Sequence, residues 1–465
     1  MKLAWHQLLL FSISLILLIG IAFQYPLTST FPMGGDAAAY IIKARGLVKH
    51  PTIAFGVLFG TWYPGIYAIF APATLLPFVS WPVKFMWWMA FGQIAAGLSL
   101  GRAVWKTGGP TSSALAIGLW ACTPIILTPM FEDGTLAQLW SLPFLILFLD
   151  SFIHSQMRKA SAYMLATFAT HPISAIVVTL SFLIAAPFFL WRDNYLTYNQ
   201  KKIILLSVAV LVATLALVIT WRSEVIRLPF IPEHSPYSQE LLFGSFERWF
   251  MLAIPGFYLL CRKLKKDTPA SALFPAFIFM SSLLAFNDKL GIGFWTGRLS
   301  PYLLIATIWC AAYAFPRLLH RLIQYRAVCS LIAITLLLVH GFGTFTDNQR
   351  TLALYDSPSR YLRTTDDEID AILWLRNHTP SSQRILTSNA NRHTEWLGAL
   401  TNIPYAEVPD HWIQKKLQEK EAVPDEIILL LKRRESIPKE LMAMNPAIIL
   451  YENKDVVVLS LNKLP

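Results

Sequence analysis

The sequence predicts a multi-pass α-helical membrane protein of about 11 transmembrane helices, amino terminus inside and carboxy terminus outside, with a C-terminal extracytoplasmic α/β domain. Three observations carry this expectation. Only 14% of the 465 residues are charged, against about a quarter in an ordinary soluble domain, and 55% are hydrophobic. Apolar windows long enough to cross about 30 Å of hydrocarbon recur through residue 343. From about residue 344 the composition returns to that of a soluble protein. A soluble multi-domain enzyme, a disordered chain and a secreted disulfide scaffold all fit this pattern poorly.

The net charge of +11 divides unevenly. Residues 1–343 hold 24 basic and 11 acidic groups, while residues 344–465 hold 15 and 17. The surplus therefore belongs to the membrane part, where Lys and Arg mark cytoplasmic loops, and a nucleic-acid partner loses its support. The four cysteines, Cys122, Cys261, Cys310 and Cys329, lie in or beside apolar segments without metal-type spacing, so neither zinc nor structural disulfides are expected.

The elements follow in order. Helix 5–24 leaves the cytoplasm after Lys2, and Gln24-Tyr25-Pro26 lacks a small-residue cleavage pattern, so it reads as an uncleaved first span. An outer stretch over 25–83 follows. Its apolar run after Trp62-Tyr63-Pro64-Gly65-Ile66-Tyr67 contains Pro64, Pro72 and Pro77, which suits a broken juxtamembrane helix better than a span. Helix 84–104 returns to Arg102 and Lys106, helix 113–130 goes out, and helix 136–153 comes back to Arg158-Lys159. Residues 160–191 lie between two basic clusters, so they go out and return, breaking at His171-Pro172. Non-helical backbone at that depth implies a wet cavity. Helices at 203–221, 249–261, 270–286, 301–315 and 327–343 then alternate, with outer loops over 222–248 and 287–300. In the tail, residues 366–377 read as an amphipathic helix stopped by Thr379-Pro380, and residues 384–387, 447–451 and 456–459 as strands.

This topology puts eight of the eleven membrane-part acids outside, which suggests polar chemistry on that face. Asp36, after Gly34-Gly35 and before an Ala-rich run, suits a helix N-cap and also a general base or metal ligand. Glu132 and Asp133, in a tight outer loop over 131–135, suit a solvated turn or, as paired oxygen ligands, Mg²⁺ or Mn²⁺. Arg298 suits a snorkelling interfacial residue or a guanidinium fork on a lipid phosphate. His171 suits a bonded core histidine or a cavity-lining acid/base, and Glu233-His234 a solvated loop or a weaker cavity candidate. No Walker loop, Rossmann glycine pattern, His-Glu-x-x-His or Gly-x-Ser-x-Gly occurs.

Taken in order, these features resemble the GT-C polyprenyl-phosphate-dependent glycosyltransferases, which include oligosaccharyltransferase catalytic subunits, protein O-mannosyltransferases and aminoarabinose transferases. The resemblance runs along the whole chain. It rests on the first-loop acid Asp36, on Trp62-Tyr63-Pro64-Gly65-Ile66-Tyr67, similar to the family's Tyr-Pro-Pro-Leu element, and on the second-loop pair Glu132-Asp133. The tail helix Ala371 to Pro380 is similar to one in the extracytoplasmic domains of such enzymes. The resemblance implies that Asp36 is the general base or positions the acceptor, that Glu132 and Asp133 assist or bind a metal together with it, and that Arg298 contacts the donor phosphate. Tyr63, His171, Glu233 and His234 become candidate cavity residues.

The implied reaction is inverting sugar transfer from a polyprenyl-phosphate donor to a lipid, glycan or protein acceptor on the extracytoplasmic face. The implied location is the cell membrane in a bacterium or the endoplasmic reticulum in a eukaryote. The tail lacks a Trp-Trp-Asp-Tyr-Gly motif, which disfavours asparagine-sequon transfer. The competing readings are a transporter or flippase of a lipid-linked substrate, and a non-catalytic scaffold with the same architecture.

Overall fold

The computed structural model describes residues 3–28, 36–49, 64–123, 135–191, 198, 202, 251–264, 272–287, 296–355, 366–380, 382–388, 394–401, 403–409, 411–413, 415, 426–431, 448–454 and 456–460. Its helices in chain order are α1 (Trp5–Thr28), α2 (Ala37–Lys49), α3 (Pro64–Phe70), α4 (Trp81–Gly108), α5 (Pro110–Ala121), α6 (Leu136–Ile153), α7 (Met157–Thr170), α8 (Pro172–Trp191), α9 (251–264), α10 (Leu273–Ala285), α11 (Thr296–Leu322) and α12 (Arg326–Tyr355). Four stretches among the described residues are long and apolar enough to cross a membrane: Trp5–Thr28, Leu136–Ile153, Leu299–Leu322 and Arg326–Arg350. The expected window at 203–221 lies outside the described residues.

The break expected in the run after Tyr63 is observed. α3 spans seven residues and tightens into a 3-10 turn, Ala71–Leu75, because Pro72 and then Pro77 cannot continue the ladder. The break at His171 also stands where expected. His171 has extended backbone (φ −154°, ψ 105°) between α7 and α8, as the residue before a proline prefers. Other boundaries differ. The span expected over 301–315 begins at Thr296 and runs to Leu322, so the expected outer loop 287–300 is shorter and Arg298 sits in a helical first turn. Pro301, the sixth residue of this helix, removes the N–H that would donate to the Gly297 carbonyl, so one bond of the ladder is lost in the second turn. The last helix continues past residue 343 to Tyr355.

Side-chain bonds sort the helix ends into two sets. At one end Gln24 on α1 donates to the Phe345 carbonyl on α12 (2.8 Å), and Thr344 donates to the Cys122 carbonyl (2.7 Å). At the other end Gln7 donates to Thr111 (3.3 Å), Lys263 donates to the Thr107 carbonyl (2.7 Å), and Lys106 pairs with Asp150. Lys106 and Lys263, both assigned to the cytoplasm, thus share the second end. Close helix contacts rely on glycine: a Cβ on Gly118 would lie 2.5 Å from Leu337 Cδ1, and one on Gly256 would lie 2.1 Å from the Cys310 carbonyl oxygen.

Asp150 is 1% exposed and would be costly there without its partners Lys106 and His154. Beyond the span, the hydrogen bond to Asp150 raises the His154 pKa above its ordinary value, against a smaller opposing effect of burial. A raised folded-state pKa means that this bond stabilises fully below about pH 6.5, the unfolded value, and loses its contribution as pH rises through the folded value. His154→Gln is therefore expected to lower the melting temperature at mildly acidic pH, with the gap to wild type closing as pH rises. A gap independent of pH would contradict it.

The tail forms α13 (Asp366–His378), β1 (Arg384–Ser388), α14 (Thr394–Leu400), β2 (Tyr405–Val408), β3 (Glu426–Leu431), β4 (Ile448–Glu452) and β5 (Val456–Ser460). One sheet has the order β2-β1-β3-β5-β4, with β1 parallel to β2 and β3, and β5 antiparallel to β3 and β4. α13 buries Ala371, Ile372 and Leu375, and its Trp374 stacks on Tyr451 (5.2 Å). Asn453 closes the β4–β5 turn and donates to the Asp367 carbonyl (2.6 Å), tying that turn to the start of α13.

Candidate functional site

Asp36 immediately precedes α2, and its carbonyl accepts the Tyr40 N–H (3.2 Å), so it occupies the helix-start position expected of it, with an exposed side chain. α2 is held from below by aromatics. Tyr40 stacks on Phe85 of α4 (6.1 Å) and meets Tyr67 of α3 (6.0 Å), while the Lys43 ammonium lies 5.6 Å from the Tyr67 ring centroid. Offset and tilted ring pairs of this kind add about 0.5–1.5 kcal/mol each beyond their buried area. They fix the direction of α2 one turn after Asp36.

α3 then connects α2 to the break at His171. A Cβ on Gly65 would lie 2.9 Å from the backbone carbon and oxygen of Ala169 and 3.1 Å from the Thr170 nitrogen. Only glycine permits this approach, which explains its place in the Trp62-Tyr63-Pro64-Gly65-Ile66-Tyr67 segment. Trp88 of α4 donates to the Ile69 carbonyl (2.8 Å), and Trp140 of α6 donates to the Trp88 carbonyl (3.0 Å), so α3, α4 and α6 are tied at one level.

His171 is 6% exposed and its Nδ1 lies 2.8 Å from Ser174 Oγ. Ser174 Oγ also meets Ser141 Oγ (2.6 Å) and Tyr302 Oη (2.7 Å), which fills the one-donor, two-acceptor capacity of a hydroxyl. The Ser174 N–H points at the same Nδ1 (3.3 Å), so Nδ1 acts as acceptor and Nε2 carries the ring proton. This buried chain joins α6, α8 and α11 at the level of the break. Tyr302 lies four residues after Arg298 and so one turn further along the same side of α11. The structure thus draws together the elements bearing Asp36, His171 and Arg298.

Tyr63, Glu132, Asp133, Glu233 and His234 lie outside the described residues, and so does the Arg298 side chain. Among the described residues no three His, Cys, Asp or Glu side chains group as a metal site. Thr135, two residues after Asp133 in the sequence, occupies the N-cap position of α6 without a side-chain cap bond, its Oγ1 buried and without a hydrogen-bond partner. No step through Mg²⁺ or Mn²⁺ is derived from this geometry.

Sequence reasoning missed the partner of α2 in the tail. The Arg45 guanidinium donates to the Ala399 carbonyl (2.5 Å) and the Gly398 carbonyl (3.4 Å), and Gly398 sits where a Cβ would lie 2.9 Å from Ile42 Cδ1. The last carbonyls of α14 lack donors of their own, and a cation at a helix carboxy end is favourable, so Arg45 caps α14 from outside. Arg45→Ala is expected to cost about 1.5–3 kcal/mol at this joint and to speed proteolysis of the tail in folded protein, with Arg45→Lys intermediate. Equal digestion rates would show the joint to be unimportant.

No family profile and no curated protein sequence matches the chain. Solved structures do. ArnT from Cupriavidus metallidurans in the apo state is 12% identical with a TM-score of 0.61, over 98% of this chain and 97% of that one. The same enzyme bound to undecaprenyl phosphate is 13% identical with a TM-score of 0.59, over 98% of each chain. The oligosaccharyltransferase AglB from Archaeoglobus fulgidus, in complex with an inhibitory peptide and a dolichol-phosphate, is 13% identical with a TM-score of 0.52, over 87% of this chain and 64% of that one. Along almost its whole length the chain has the fold of the ArnT structures.

Proposed function

We propose that the chain is a membrane glycosyltransferase that moves a sugar from a polyprenyl-phosphate donor to an acceptor on the extracytoplasmic face, with inversion at the anomeric carbon. The observation that carries this reading is the convergence of α2, α3, the His171 break and the first turns of α11 on one end of the helical bundle, opposite the Lys106, Asp150 and Lys263 cluster. ArnT with undecaprenyl phosphate and AglB with dolichol-phosphate supply the chemical class of donor.

In this mechanism Asp36 takes the acceptor proton as the acceptor attacks the anomeric carbon from the face opposite the phosphate. The bond from that carbon to the phosphate oxygen breaks, and its electron pair leaves with the phosphate. The Arg298 guanidinium stabilises the charge that develops there. The His171–Ser174–Tyr302 chain keeps α8 and α11 in register, and Glu132 and Asp133, which precede Thr135 in the sequence, assist the transfer. A flipped lipid donor suits an outer site, which has no cytosolic nucleotide sugars to draw on.

Sidedness tests the reading. Single cysteines at the exposed positions Gln156 and Ser382, in a background lacking Cys261, are expected to react with impermeant maleimide from the cytoplasmic and the outer side respectively. Labelling of Ser382→Cys from the cytoplasm alone would overturn it.

A further inference from the structure

The outer end of α4 holds a lysine that the transfer reaction does not use. Lys84 is 4% exposed and has no carboxylate partner among the described residues; its recorded side-chain contact is the Trp81 ring, whose centroid lies 4.4 Å from Nζ. The side chain is largely buried while its ammonium has no counter-ion, an arrangement that carries a cost. Its position adds to the cost. Lys84 lies in the first turn of a 28-residue helix, at the end where the helix dipole is positive and favours anions. Because Nζ lies over Trp81, the first residue of α4, the cation is turned toward that end rather than away from it. Ser80 provides no side-chain cap for the first N–H groups. Burial, dipole and missing cap all call for an anion from outside the chain.

The surroundings identify its chemistry. Lys84, Phe91 and Leu98 recur every seven residues and so lie along one side of α4, and Phe91 and Leu98 are 38% and 42% exposed. From Lys84 to Leu98 this stripe extends about 21 Å at 1.5 Å per residue, close to the length of one lipid leaflet. In the segment before α4, Leu75 and Phe78 are 79% and 99% exposed, as interfacial anchors are, which sets Lys84 at headgroup depth.

We propose that the Lys84 ammonium and the first turn of α4 bind the phosphate of an outer-leaflet phospholipid whose chains lie along Phe91 and Leu98. This proposal does not depend on the transferase reading.

The test is lipid binding to the purified full-length chain, read by native mass spectrometry, with phosphatidylglycerol and the diacylglycerol of the same chains as probes. Wild type is expected to prefer phosphatidylglycerol. Lys84→Met is expected to weaken that binding about 10- to 100-fold, the range for one lost charge-assisted hydrogen bond, and Lys84→Arg to retain it. Phe91→Asn is expected to weaken binding of both probes. Equal phosphatidylglycerol binding by wild type and Lys84→Met would overturn the site. Were Lys84→Met not to fold, lack of preference for phosphatidylglycerol over diacylglycerol in wild type would overturn it equally. Lys84-dependent binding of farnesyl phosphate without any of phosphatidylglycerol would overturn the phospholipid assignment.

Discussion

Asp36→Asn is expected to lower sugar transfer by about 10²–10⁴-fold, the usual contribution of a positioned general base, while leaving expression and melting temperature unchanged. The amide preserves shape and hydrogen-bonding reach but cannot take the acceptor proton. The Asp36 side chain is exposed at the head of α2, so the neutral replacement does not disturb the aromatic packing around Tyr40 that holds the helix. Exposed substitutions of this kind change stability by about 0.5 kcal/mol or less. Initial rates in membranes with matched protein levels measure the effect. Wild-type turnover in the variant would remove Asp36 from the reaction.

The second large effect is expected at Gly65. Valine there would drive carbon atoms into the backbone of Ala169 and Thr170, which cannot rotate away as a side chain could. Overpacking of this type costs about 1–3 kcal/mol, and the cheaper escape is a shift of α3 away from α7. That shift would carry Tyr67 from beneath Tyr40 and move α2, and with it Asp36. A displacement near 1 Å costs about 10²-fold in rate, so transfer should fall much further than the modest drop in melting temperature would suggest. Gly65→Ala should show the same pattern in weaker form. Normal activity in Gly65→Val would mean that α3 does not position α2.

Much of this arrangement was legible where the signal is local. The break at His171 follows from basic clusters on both sides and a proline, the ends of α13 from its apolar period and Thr379-Pro380, and the start of α2 from Gly-Gly-Asp before an alanine run. β1, β4 and β5 were read from short apolar runs. β2 and β3 were not: Glu426–Leu431 is apolar after its first residue and lacks the alternation that marks a strand, and it lies between parallel β1 and antiparallel β5.

What lay beyond the sequence depends on distant residues meeting. Asp150 reads as the polar end of a span until it is found paired with Lys106 and His154. Ser141, Ser174 and Tyr302 are unremarkable hydroxyls until one hydrogen-bonded chain links three helices. Arg45 is one more basic residue in an outer loop until it caps a helix more than 350 positions away.

The central claim is that a carbon–oxygen bond of a lipid-linked donor is broken on the outer face. Release of free polyprenyl phosphate from a sugar-labelled donor, by the purified chain in proteoliposomes with the acceptor pool supplied as membrane extract, tests it most directly. The account predicts that lipid phosphate appears in step with label transferred to the acceptor, in wild type but not in Asp36→Asn. Donor that moves between leaflets with its sugar still attached, and with no lipid phosphate formed, would contradict it.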